Sequence, residues 1–274
     1  MSRALAAVVL ATFVLLAGPS SPGALAGEAA PVASPFRYSF NSTGVLEEAG
    51  SMDASWSPYW WLNSGGFFHL HGRGETSQGE LPSDEPWRLL YAASNPVDTD
   101  DGYHPQNVFR MVTRSRWGAF RQQVYFRITR DNLSDSPNRG ASNGVFLLNR
   151  YQDQDNLYYT GVRVDGAAVV KKKVGGRYHT MAYRPSPPTT GPGTRASSRS
   201  TSGWASPARS STGPMAPCAS ASTSAPAAAV WVLVFDTIDD GVQYGGVPLV
   251  QPGHGGMRTD FMDVQFENYL AKAL

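Results

Sequence analysis

From Phe36 onward the apolar residues recur at a spacing of two, or in short β-branched and aromatic runs, and Gly, Asn, Asp or Pro interrupts them every several residues. A side-chain period of two belongs to a strand with one buried face. No stretch keeps a helical spacing. The strands this pattern predicts are Phe36–Phe40, Phe67–His71, Arg88–Ala92, Val108–Thr113, Phe120–Thr129, Gly144–Arg150, Leu157–Val164, Ala167–Val174, Arg177–Tyr183, Val230–Phe235 and Met257–Phe266. Many short strands with Gly-rich turns predict an all-β fold, an antiparallel β-sandwich of jelly-roll type. A chain of 274 residues can bury a sizeable core; with 16% charged residues and a net charge of +1 it fits neither a coiled coil nor a nucleic-acid binder held by a basic surface. One Cys excludes a disulfide framework.

The best-defined unit runs from Asn156 to Tyr183. Asp165-Gly166 and Gly175-Gly176 are hairpin signals, since both central residues of a type I′ turn need positive φ. They predict a three-stranded meander. With two-residue loops, Tyr158 stands opposite Lys173 and Lys173 opposite Tyr178, while Tyr159, Lys172 and His179 form a row on the other face.

Met1-Ser2-Arg3, the apolar run Ala4 to Ala17 and the small residues of Ala24-Leu25-Ala26 read as an export signal cleaved before Gly27. The run is shorter than the roughly 20 residues a membrane span needs, so no span is expected after cleavage. The expected organisation is a signal peptide over 1–26, a lead over 27–35, the main sandwich over 36–184, a low-complexity block over 185–229 and sandwich-completing strands over 230–274. The expected location is extracellular, at a bacterial cell exterior.

Pro185 to Ala229 contains no Asp, Glu, Lys, Val, Leu, Ile, Phe or Tyr. Such a segment cannot bury enough apolar surface to offset an ordering cost of about 1–2 kcal/mol per residue, so disorder is expected. It is either a natural linker or a stretch read in a shifted frame of GC-rich DNA. The second reading accounts better for strand pattern that stops at Arg184 and resumes abruptly at Val230, and it leaves Cys218 and Trp204 without a role.

Gly144-Val-Phe-Leu-Leu-Asn-Arg-Tyr-Gln-Asp-Gln-Asp-Asn-Leu-Tyr-Tyr, followed by Gly161-Val-Arg-Val-Asp-Gly, Lys171-Lys-Lys-Val-Gly-Gly and the closing Gly255-Gly-Met-Arg-Thr-Asp-Phe-Met-Asp-Val, resembles the concanavalin A-like lectin/glucanase superfamily. The Glu-x-Asp-x-x-Glu signature of its laminarinase-like glucanases is absent. The resemblance implies a curved sheet whose concave face holds an extended glycan, with aromatics stacking on sugar rings and Asn, Asp, Arg and Lys bonding hydroxyls.

Candidate sugar contacts are Trp60, Trp61, Arg150, Tyr158, Lys173, Tyr178 and His179. Trp56, Tyr59, Trp60 and Trp61 form a stacking platform on one reading and a hydrophobic plug on the other. The two Tyr/Lys rows offer either groove contacts or a solvated face with lysines that discourage edge pairing. A lyase would read Tyr178 and His179 as proton movers and Arg150, Asn149 and Lys173 as charge neutralisers. His69, His71 and His104 suggest either a metal set or an exposed strand face, and Arg110, Arg114 and Arg116 either groove or edge residues. Asp98, Asp100, Asp260 and Asp263 are hard-oxygen candidates for a structural calcium, against a bland role as turn-capping carboxylates. The function expected is carbohydrate binding to a polysaccharide or oligosaccharide. The alternatives are a polysaccharide-degrading lyase or hydrolase on the same fold and a surface protein without ligand; no nucleic acid is expected as partner.

Overall fold

The computed structural model describes residues 34–185 and 234–274, together with the backbone of 205–212. The expected signal peptide lies outside the described residues, as does most of the low-complexity block. Two seven-stranded antiparallel sheets face each other. The first is built from β1 (Phe36–Tyr38), β2 (Thr43–Glu47), β4 (Phe67–His71), β5 (Gly74–Thr76), β7 (Phe120–Asp131), β12 (Ala205–Thr212) and β14 (Met262–Ala273), in the order β12-β7-β14-β5-β4-β2, with β1 beside β5 on the edge of β14. The second is built from β3 (Trp60–Ser64), β6 (Arg110–Trp117), β8 (Gly144–Asp153), β9 (Asn156–Arg163), β10 (Ala168–Val174), β11 (Arg177–Arg184) and β13 (Gly253–Thr259), in the order β11-β10-β9-β8-β13-β6-β3. Among the connections that cross between the sheets are β2 to β3, β3 to β4, β5 to β6, β6 to β7, β7 to β8 and β13 to β14, as a jelly roll requires. No helix among the described residues is long and apolar enough to cross a membrane.

Alternation buries one face of each sheet. Phe68, Val124, Phe126, Val264 and Phe266 of the first meet Trp60, Leu62, Met111, Val145, Leu147 and Met257 of the second. Each such side chain contributes on the order of 1.5–3 kcal/mol on removal from water. Gln122 is the polar exception: it is fully buried, its Nε2 donates to the Asn149 Oδ1 at 2.8 Å, and its Oε1 accepts from the Tyr269 hydroxyl at 2.7 Å.

Three expected strands are corrected. Arg88–Ala92 lies inside helix α1 (Pro86–Ser94), where Pro86 supplies the preset first-turn φ and Leu89, Leu90 and Ala92 are good helix formers. Only Tyr91 of α1 is buried, and its hydroxyl donates to Glu48. Met257–Phe266 is two strands, broken where Phe261 takes φ 55° and the chain passes from the second sheet to the first. Of Val230–Phe235 the described part, Val234 and Phe235, has irregular backbone. β2, β3 and β5 were not foreseen.

The segment 234–252 runs as a strap over the inner side of β9, β10 and β11, where Phe235, Tyr244 and Leu249 pack on Tyr158, Val170 and Met181. In the block expected to be disordered, Ala205–Thr212 is a strand on β7; an edge ladder needs only backbone groups and so does not depend on apolar side chains.

The meander forms, with one register change. Lys172 pairs with His179 and Lys173 with Tyr178 as the second turn predicts. Across the first turn, however, Lys172 pairs with Tyr158 and Lys171 with Tyr159. The Arg163 N–H donates to the Ala167 carbonyl at 2.8 Å and the Gly166 N–H to the Arg163 carbonyl at 2.9 Å, with Gly166 at φ 79°. That is a three-residue loop with its Gly in the left-handed position, one residue longer than the type I′ turn.

Candidate functional site

The outer face of the second sheet has an apolar floor. Val112, Phe146, Leu148, Leu157, Tyr159 and Val169 point outward from four strands, β6, β8, β9 and β10, yet all are buried, because longer side chains rise around them. Gly161 makes room for the Phe146 ring: a Cβ there would lie 2.8 Å from Phe146 Cδ1 and 2.0 Å from the Val145 carbonyl oxygen. Phe146 in turn meets Tyr159 edge-on, centroids 5.0 Å apart.

Above this floor stands a charged and aromatic rim. Arg110 of β6 and Arg258 of β13 are direct cross-strand partners. Arg258 Nε donates to Asp260 Oδ1 at 2.7 Å, and its guanidinium carbon lies 5.7 Å from the Tyr159 centroid. Lys171 Nζ lies 6.0 Å from the Tyr159 centroid and 5.9 Å from that of Tyr178. Tyr178 crosses Tyr159 at 78° with its own ring 50% exposed, so it is the aromatic surface open to a ligand. Lys173 Nζ lies 5.0 Å from the Tyr178 centroid and donates to Asp155 Oδ1 at 2.9 Å. Together with Asn143, the residues Tyr159, Lys171, Tyr178, Arg258 and Asp260 line a cleft of about 400 Å³.

Two cations, Lys171 and Arg258, and two carboxylates, Asp98 and Asp260, line the cleft, and cations dominate around Tyr178. Burial by itself would raise the Tyr178 pKa, but Arg258 and Lys173 outweigh it and bring the phenol below its ordinary value. Lys171 is lowered by burial first and then by Arg163 and Arg258. Burial works against charge on Arg258, yet Asp260 and Tyr178 overcome it and hold the guanidinium firmly protonated. Tyr159 is pushed up by its burial. The arrangement can stack one sugar ring on Tyr178 and present cationic donors beside it.

Of the seven expected sugar contacts, this face carries three: Trp61, Lys173 and Tyr178. Trp61 packs at its margin with Met52, its Nε1 donating to the Ala49 carbonyl at 2.7 Å. The other four are corrected by where alternation points them. Trp60 faces inward and is 2% exposed, its ring 4.9 Å from Tyr269 and 5.9 Å from Phe40. Tyr158 and His179 lie on the strap side of the sheet: the Tyr158 hydroxyl donates to Asp239 Oδ2, and His179 faces Gly245. Arg150 takes φ 48° and donates to the Val250 and Gln251 carbonyls, fastening the strap. The lyase set is therefore split by the sheet, since Asn149 and Arg150 do not share a face with Tyr178.

Of the three alternating arginines, only Arg110 reaches the floor; Arg114 donates to the Ser55 and Ser57 carbonyls and Arg116 to that of Pro252. His69 and His71 stack at 5.9 Å on the first sheet, away from His104, whose Nδ1 donates to Asp100 at 2.9 Å. The four calcium candidates are not gathered. Asp98 accepts from Ser136 and Asn138, Asp100 from Ser134, His104 and Asn107, Asp260 from Arg258, and Asp263 from Gly79, Gln106 and Asn132. N–H and O–H donors aimed at these carboxylates do not fit an oxygen cage, and among the described residues no three His, Cys, Asp or Glu side chains converge as a metal set. Tyr159 was expected in a row with Lys172 and His179, and the residues not foreseen as sugar contacts are Lys171, Arg258 and Asp260. The register shift sets Lys171 beside Tyr159, and the Arg258-x-Asp260 spacing was the available signal for the other two.

No protein-family model matches the sequence, and no curated protein sequence matches it. Among solved structures, the chain is similar to the carbohydrate-binding module CBM66 from Bacillus subtilis, with a TM-score of 0.47 and 12% identity over 78% of this chain and 95% of that one. It is similar to a protein with a galectin-like fold from Bacillus subtilis, with a TM-score of 0.47 and 11% identity over 88% and 96%. The GH43 BlXynB protein from Bacillus licheniformis gives a TM-score of 0.47 and 10% identity over 87% of this chain, which spans only 39% of that protein.

Proposed function

We propose that the chain is a secreted carbohydrate-binding β-sandwich protein that holds a polysaccharide on the outer face of its second sheet. The observation that carries this reading is the Tyr178 ring, half exposed at the mouth of a cleft lined by Lys171, Arg258, Asp260 and Asn143. An exposed aromatic ringed by hydrogen-bonding groups matches the two faces of a sugar, one apolar and one hydroxylated. A glycan array followed by calorimetry tests it. The chain binds a polysaccharide, and Tyr178→Ala loses about tenfold in affinity while melting at the same temperature, as expected for an exposed stacking contact worth about 1–1.5 kcal/mol. A blank array, or an unchanged affinity in the variant, rejects the site.

A polysaccharide lyase on the same face is the second reading, and what favours it is the depressed phenol of Tyr178 between Arg258 and Lys173. Release of unsaturated ends from a uronate polymer, lost in Tyr178→Phe, supports it; binding without new ends leaves the protein a binder.

A further inference from the structure

We infer that the glycan is acidic, with carboxylate or sulfate groups met by Lys171 and Arg258 and, one strand over, by Arg110. This rests on the carbohydrate-binding reading of the same face. Two arginines placed directly opposite each other across neighbouring strands repel, an arrangement a sheet tolerates at a cost in stability. Asp260 forms an ion pair with Arg258, but among the described residues no carboxylate pairs with Arg110, and Asp98 Oδ1 accepts from Ser136 and Asn138. Lys173 and Arg163 have their own carboxylates in Asp155 and Asp165.

What remains is unspent donor capacity. Among the described residues Lys171 Nζ donates to no partner, Arg110 donates only through Nε to Asn63 at 2.7 Å, and Arg258 keeps one terminal nitrogen without an acceptor. A neutral sugar presents hydroxyls, which both donate and accept. Groups that only donate and carry positive charge are matched by an anion that only accepts. Lys171 and Arg258 flank the same Tyr159 ring within 6.0 Å and 5.7 Å of its centroid, close enough to address one acidic residue of a chain whose neighbour then meets Arg110.

Calorimetry of the full chain with two matched pairs of polymers tests this: polygalacturonate against its fully methyl-esterified form, and dextran sulfate against dextran. The charged member of at least one pair binds about tenfold tighter or better, the preference shrinks as salt rises, and which pair shows it identifies the anion. Lys171→Met loses about fivefold on the charged polymer only, with the melting temperature as control for folding. Equal affinity within both pairs overturns the inference while leaving a neutral-glycan binder intact. No loss in Lys171→Met overturns the placement of the anion. Failure of all four polymers together with a blank glycan array removes the carbohydrate reading and this inference with it.

Discussion

Lys172 Nζ lies 2.9 Å from Asp239 Oδ2, with the lysine side chain wholly shielded from solvent, and the pair fastens the strap to the middle of β10. The Gly246 carbonyl accepts a second bond from Nζ at 3.0 Å, and Asp239 also accepts from the Tyr158 hydroxyl and the Gly241 N–H. All of these partners are needed, because a buried charge without compensation is far costlier than a buried pair is favourable.

Lys172→Ala therefore strands the carboxylate and lowers unfolding free energy by about 3 kcal/mol, more than the charge-free double variant Lys172→Met/Asp239→Leu, which removes both ions at similar volume. Urea unfolding of the three proteins measures the difference. A double variant as unstable as the single one would show that the pair itself, not the orphaned charge, supplies the stability.

Acid weakens the fold through His254. Its Nδ1 donates to the Ser115 carbonyl at 3.1 Å, and burial first, then Arg116, lowers its pKa from the ordinary 6.5. A depressed histidine binds protons more weakly folded than unfolded, so its contribution is complete above the unfolded value and is lost as pH falls below about 6.5. Melting temperature drops between pH 7 and pH 5, and His254→Gln, which keeps a donor for Ser115, makes the drop shallower. His69, also lowered, retains its share in that variant.

Alkali acts in the opposite sense. Burial, followed by the bond to Asp239, raises the Tyr158 pKa, and burial also raises those of Tyr91, Tyr159 and Tyr269. Stability is whole below the ordinary phenol value near 10 and is lost as pH rises past it. Tyr178 is the exception, lying below its ordinary value. Ultraviolet titration of the folded protein shows an early tyrosine ionisation that disappears in Tyr178→Phe, with the phenols of Tyr91, Tyr158, Tyr159 and Tyr269 released only as the fold opens.

Gly161→Ala destabilises by on the order of 1–3 kcal/mol, because its Cβ would meet the Val145 carbonyl and the Phe146 ring and force a backbone shift. The floor under Tyr159 moves with it, so glycan affinity falls together with stability. Tyr178→Ala, by contrast, changes affinity alone. Comparing thermal melts and calorimetry for the two variants separates floor from rim.

How much of this was legible in the sequence follows from what each residue's neighbours decide. Alternation along Phe67–His71, Phe120–Asp131 and Arg177–Arg184 reads directly as strand because burial there is one-sided. The Leu89-Leu90 pair misleads, since a short apolar run looks alike in a strand and in a helix that exposes it. Trp60 and Trp61 are indistinguishable by type, and only the sheet's pleat sends one into the core and the other outward. The site was misassigned for a smaller reason: a loop of three residues at Val164, Asp165 and Gly166, where two were expected, moved Lys172 opposite Tyr158 and brought Lys171 and Tyr159 out together. The partners of Arg150 and Tyr158 lie 100 and 81 positions away, in a strap without strand periodicity.

β13 lies between β6 and β8, and β14 between β7 and the shared edge of β1 and β5, so the last two strands are the central planks of both layers. Before residues 253–273 join, the first layer is three separate pieces, β12-β7, β5-β4-β2 and the lone β1, and the second is two, with β6, β7, β8 and β5 all presenting bare ladders. Closure of the sandwich thus waits on the tail of the chain, and everything synthesised earlier must be kept from pairing with strangers until the tail arrives.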